Sequence, residues 1–130
     1  MCQKRILIVD DEEAIRDSLA WILLRKGYLV ETVSGGKSAL KLMMVNSFDA
    51  LISDVQMPEG NGLELLREVQ ERELKVPVFL MTGSQLSTQE ALDAGAFFLI
   101  RKPTDITKIP DLLNNYFSGN VNADIKLRVM

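Results

Sequence analysis

Five short apolar runs recur along the chain, and each is followed by a segment whose apolar residues fall at helix spacing. The runs are RILIV at 5–9, YLVETV at 28–33, DALISD at 49–54, VPVFLM at 76–81 and FFLIR at 97–101. Runs of this length without alternation suit strands buried on both faces, and YLVETV, the most polar, suits a less buried place. Between the runs the period changes. Ile15, Leu19 and Ile22 follow DDEEA, Ala39, Leu40 and Met43 follow Ser34, and Leu63, Leu66 and Val69 follow Asn61. The acids of DDEEA favour a helix start, while Ser34 and Asn61 are cap candidates. A shorter helix is expected over about 86–93, ending near Gly95. The last should cover much of 108–117 and begin near Thr107, because Pro110 is tolerated only in a first turn. Trp21, Met43 and Met44 read as helix packing.

Strands alternating with helix-length segments imply right-handed crossovers and a parallel sheet covered on both faces, an α/β fold. In such a sheet ligands bind outside the carboxyl ends of the strands. There the chain carries its polar groups: Asp10 and Asp11 after the first strand, Asp54 at the end of the third, Thr82 of the fourth and Lys102 of the fifth.

Composition narrows the chemistry. A length of 130 residues suits one domain with one core and would crowd a second folding unit such as a DNA-binding output domain. The chain has no histidine, which excludes a serine–histidine triad and most zinc sites. Eighteen acidic against fifteen basic side chains do not suggest general nucleic-acid affinity, although they leave room for a local basic patch. Cys2 is the only cysteine and has no internal partner, which is compatible with a reducing compartment. No segment reads as a signal peptide or membrane span, so cytoplasmic residence is the default expectation.

Three carboxylates brought together repel one another, and a divalent cation resolves the conflict. Oxygen ligands alone suit a hard ion, and magnesium is the natural choice beside a phosphoryl group. A carboxylate can attack phosphorus to form an aspartyl phosphate, with cations and donors neutralising the transferring oxygens. Lys102 would supply such a cation, Thr82 a hydroxyl, and Gly83 leaves room for a ligand near its backbone. Gly35-Gly36 reads as a helix entry, since the rest of a nucleotide-binding fingerprint is absent.

At these residues the chain resembles the receiver domain of bacterial two-component response regulators, over about 4–117. The resemblance rests on ILIVDDE at 6–12, ISDVQMPEGNGLELL at 52–66, FLMTG at 79–83 and DAGAFFLIRKP at 93–103. It implies a flavodoxin-like (βα)5 fold with strand order 2-1-3-4-5, a receiver domain over 4–118, and a C-terminal tail or truncated linker over 119–130. It further implies that Asp54 is the phosphoacceptor and that magnesium, for which manganese can substitute, is held by Asp10, Asp11, Asp54 and the Gln56 carbonyl. Lys102, Thr82 and Gly83 would contact phosphate, Thr82 would act as the switch hydroxyl, and the Lys102–Pro103 bond would be cis. The expected partner is a sensor histidine kinase or a histidine phosphotransfer protein. Homodimerisation or a downstream protein would use the face of helix four, strand five and helix five, without nucleic-acid binding or membrane insertion. Such a domain is a switch that assists its own phosphorylation and dephosphorylation, not a turnover enzyme.

Two features depart from the family pattern. Glu59-Gly60-Asn61-Gly62 stands where Met-Asp-Gly is common, and Leu99 stands three residues before Lys102, where many relatives carry a rotating aromatic side chain. Phe98 beside it should point to the opposite sheet face. With an interval from Thr82 to Lys102 about two residues shorter than usual, either the signal leaves by a different surface or a shorter helix four still serves as the interface. Two other functions compete: a phosphorylation-independent interaction module on the same fold, and a small phosphate-ester hydrolase, for which no second catalytic acid is evident.

Overall fold

The computed structural model describes residues 3–57, 61–83, 86–102 and 106–119. Five strands, β1 (Arg5–Val9), β2 (Leu29–Val33), β3 (Ala50–Asp54), β4 (Val78–Thr82) and β5 (Phe98–Arg101), form one sheet in the order β2-β1-β3-β4-β5. Every pairing is parallel. The helices are α1 (Glu13–Arg25), α2 (Gly36–Val45), α3 (Gly62–Glu71), α4 (Thr88–Asp93) and α5 (Ile109–Ser118), the last entered through a 3-10 turn over Ile106–Lys108. This is the expected flavodoxin-like α/β architecture.

Alternate strand residues divide the core in two. Leu7, Val9, Leu51, Leu80 and Leu99 pack with Met43 of α2, Leu66 and Val69 of α3 and Ala91 of α4. Ile6, Ile8, Ile52, Phe79, Phe98 and Ile100 pack with Leu19 and Leu23 of α1 and Leu113 of α5. Phe98 and Leu99 therefore face opposite layers, as strand geometry requires. The even burial of β1, β3 and β4 explains their unbroken apolar runs, whereas the edge strand β2 is largely exposed.

Local signals mostly act where the sequence places them. Asn61 caps α3 by accepting from the Glu64 amide at 2.8 Å, and Ser87 with Glu90 forms a capping box on the six-residue α4. Gly95, at φ +104°, turns the chain from α4 toward β5. Pro110 lies in the first turn of α5. Two expectations need correction. The N-cap of α2 is Gly35 rather than Ser34, and no side chain caps that helix. Met43 is buried, but Trp21 and Met44 are exposed, and the Arg25 guanidinium lies over the Trp21 ring at 4.7 Å. Gly119 ends α5 in the left-handed conformation, while the rest of the expected tail, 120–130, lies outside the described residues. No helix among the described residues is long and apolar enough to cross a membrane.

Candidate functional site

The carboxyl ends of β1, β3, β4 and β5 meet at one edge of the sheet. Asp54 and Thr82 are the last residues of their strands, while Asp10 and Lys102 lie one step beyond β1 and β5. Backbone bonds fix these ends relative to one another. The Asp10 amide donates to the Val33 carbonyl at 3.2 Å, Val55 to Met81 at 2.9 Å, and Lys102 to Thr82 at 2.9 Å. Register pairs Asp54 with Met81 and Thr82 with Arg101. Each polar residue is thus placed by a strand whose apolar side chains are buried in the core.

Lys102 joins the acidic groups. Its Nζ lies 2.7 Å from Asp10 Oδ2, 3.2 Å from Asp54 Oδ2 and 3.5 Å from Glu12 Oε1. Asp10 is fully buried, Asp54 and Thr82 nearly so, and Asp11 is exposed. Carboxylate oxygens of Asp10, Asp11 and Asp54 lie within 4.8 Å of one another. The Asp10 side chain is held on its other oxygen as well, with Oδ1 accepting from the Glu12 amide at 2.9 Å. Although Lys102 is close to Oδ2, this buried oxygen has no aligned hydrogen-bond donor among the described residues. The Lys102 contact is accordingly an ion pair by distance, and Oδ2 retains capacity for a further ligand. A hard divalent cation matches this donor set of carboxylates.

Electrostatics reflect the crowding. Burial pushes the Asp54 carboxyl above its ordinary range and the Asp10 charge adds to this, while Lys102 and the Gln56 backbone amide pull it down without cancelling the rise. Burial alone would lower the Lys102 ammonium, but Asp10 and Asp54 outweigh it and hold its pKa up. A carboxyl whose folded pKa exceeds its unfolded value contributes stability only at low pH, and loses that contribution as pH rises through the folded value. At neutral pH without a cation, Asp54 therefore costs stability. Asp54→Asn should raise the melting temperature in chelator at pH 7, with the gap closing as pH falls to about 3, below the unfolded value of about 3.9, where the carboxyl is largely protonated in both states. Thermal melts at the two pH values check this, and a lower melting temperature for Asp54→Asn at pH 7 would contradict it.

Of the residues expected from sequence, Asp10, Asp11, Asp54 and Lys102 are brought together, and Thr82 ends the adjacent strand with its side chain buried. Gly83 follows in open space. Gln56 is exposed just past Asp54. Pro103, with its expected cis bond, lies outside the described residues, as do Glu59 and Gly60. Leu99 is buried against the α4 side of the sheet. Two contributors went unread in the sequence: Glu12, which reaches Lys102, and Arg16, whose Nη1 donates to the Asp10 carbonyl at 2.7 Å. Their signal was their place two and six residues after Asp10, in a stretch read only as a helix start.

A family model described as the response regulator receiver domain matches residues 6–114. Among curated proteins, the chain is 35% identical over 115 residues to the response regulator protein PilR of Pseudomonas aeruginosa, covering 87% of this chain and 26% of PilR. It is 39% identical over 101 residues to the response regulator MprA of Mycobacterium sp. (strain KMS), covering 76% of this chain and 44% of MprA. The chain thus spans less than half the length of either relative. Among solved structures it is similar to the chemotaxis response regulator CheY4 of Vibrio cholerae, with a TM-score of 0.80, 30% identity, and 88% and 98% of the two chains covered. It is also similar to the response regulator protein TrrA of Thermotoga maritima, solved in complex with Mg(2+)-BeF, with a TM-score of 0.78, 28% identity, and 87% and 98% coverage.

Proposed function

The chain belongs to the response regulator receiver domain family, and from that premise we propose that it is a phosphoacceptor switch whose acceptor is Asp54. The observation that carries this reading is Lys102, paired at once with Asp10 and Asp54 beside the Asp10–Asp11–Asp54 cluster. Magnesium, when bound by the carboxylates of Asp10, Asp11 and Asp54 and by the Gln56 carbonyl, supplies the positive charge that lets a phosphorylated donor approach an acidic site. The TrrA structure with Mg(2+)-BeF lends support to that choice of ion.

An Asp54 carboxylate oxygen forms the new bond to phosphorus. The bond from phosphorus to the donor breaks, and the leaving imidazole nitrogen of a phosphohistidine keeps the electron pair. Lys102 moves its charge from the carboxylates to the phosphoryl oxygens, and the Thr82 hydroxyl and Gly83 amide donate to them. Hydrolysis of the acyl phosphate resets the switch. The donor is a phosphohistidine on a sensor kinase or phosphotransfer protein, and the domain works in the cytoplasm without binding nucleic acid itself.

Leu99 favours an output that does not depend on a rotating ring. It is buried with Leu80 and Ala91 in the layer that carries α4, so a shift of Thr82 would reach α4 through aliphatic packing. The α4–β5–α5 face then meets a second copy or a downstream protein.

Intact mass after incubation with magnesium and acetyl phosphate tests the proposal. Wild type should gain about 80 Da, the mass of one phosphoryl group, and Asp54→Asn should gain nothing. Absence of labelling, under conditions that label a known receiver, would leave phosphorylation-independent interaction as the better reading.

A further inference from the structure

The turn from β1 into α1 reads DDEEAIRD over residues 10–17, and Arg16 is its one cation among five carboxylates. Such a guanidinium would ordinarily pair with an acid. Among the described residues it makes no ion pair, and its one hydrogen bond is from Nη1 to the Asp10 carbonyl oxygen, at 2.7 Å in a half-buried setting. That carbonyl belongs to the planar peptide group linking Asp10 to Asp11. Both side chains of the acidic pair therefore hang from a unit whose orientation Arg16 fixes. The Asp10 carboxylate has further restraints, from the Glu12 amide and from Lys102. Asp11 is exposed, and its carboxylate has no polar partner among the described residues, so its place beside Asp10 and Asp54 depends on how the backbone presents it.

We propose that Arg16 is a positioning residue for the cation site, holding the Asp10–Asp11 peptide so that the Asp11 carboxylate faces Asp10 and Asp54. This rests on the reading of those three carboxylates as a magnesium site. Charge and position predict opposite signs. As a bare positive charge Arg16 repels a divalent ion, and its removal would tighten binding. As a positioning donor it preorganises the ligands, and losing a partner of that kind costs about 10–100-fold in metal affinity.

The test is calorimetric titration of the full chain with magnesium chloride, comparing wild type, Arg16→Met, Arg16→Lys and Asp54→Asn, together with melting temperatures in chelator. Arg16→Met should bind magnesium about tenfold or more weakly, with its metal-free melting temperature close to wild type. Arg16→Lys, which keeps a charged donor on a stem of similar reach, should recover most of the affinity. If Arg16→Met does not fold, Arg16→Gln, neutral and too short to reach the carbonyl, carries the same expectation. Affinity equal to or tighter than wild type in the neutral variants overturns the proposal while leaving the magnesium site intact. Failure of wild type itself to bind magnesium, or binding undiminished in Asp54→Asn, overturns the cation-site reading and the role of Arg16 with it.

Discussion

Lys102→Met should slow phosphorylation of Asp54 by about 10²–10³-fold, the usual loss when one preorganised charge-stabilising donor is removed. The Lys102 ammonium is the only cation ion-paired with Asp10 or Asp54 among the described residues, at 2.7 and 3.2 Å. Methionine keeps much of the stem, which is largely buried, and deletes the charge. Asp10, fully buried, and Asp54, nearly so, would then face each other without compensation. Breaking a buried pair in this way costs about 3–5 kcal/mol, and the exposed rim at Glu12 and protonation of Asp54 place the expected loss at or below the low end. Magnesium affinity should move the other way, because the competing ammonium is gone. The rate of mass gain with acetyl phosphate at saturating magnesium, set beside a magnesium titration, reads both effects. A near-normal labelling rate would mean that Lys102 only neutralises the acids at rest.

Gly62→Ala should damage the fold and the site together. Gly62 is the first residue of α3, and a Cβ there would sit 2.4 Å from the Asp54 carbonyl oxygen and 3.1 Å from Val55 Cα. Those atoms are backbone and cannot swing aside as a side chain can. The Gly62 amide also donates to the Val55 carbonyl at 2.9 Å, so α3 is fastened at the point where it would have to retreat. Helix propensity alone favours alanine over glycine by about 1 kcal/mol, whereas overpacking against rigid neighbours costs about 1–3 kcal/mol and sometimes more. The contact should dominate. A fall in melting temperature with slower Asp54 labelling is expected, measured by thermal denaturation and intact mass. A melting temperature equal to or above wild type would show that the close approach relaxes without consequence.

The parts legible in the sequence were those where neighbouring residues differ most in chemistry. Asp10, Asp54 and Lys102 were found because charge directly follows an apolar run, and a parallel sheet gathers such positions at one edge. The position of β2 was legible too, since YLVETV lacks the apolar density of a strand covered on both faces. Ser34 was misread because two plausible N-caps adjoin, and it is Gly35, in extended conformation, that precedes the first turn of α2. Trp21 was misplaced by hydrophobicity where periodicity should have prevailed. It stands two residues from both Leu19 and Leu23, about 200° around the helix from the buried stripe. Arg16 left no comparable trace, because a side chain that reaches back to a backbone carbonyl carries no pattern in residue types.

The carboxylates that would hold the ion come from the ends of β1 and β3, more than forty residues apart in the chain. No local turn can bring them together. A chain in which β1 and β3 have not yet paired has no complete cation site, so a bound ion recognises the paired sheet and not the unfolded chain. By mass action, magnesium at a hundred times its dissociation constant would then add about 2.7 kcal/mol to stability. If the folding transition state precedes pairing of β1 with β3, that increment is absent from it and appears almost wholly in the unfolding rate. In that case the ion acts as a latch: it leaves the speed of assembly unchanged and lengthens the time before the finished sheet comes apart.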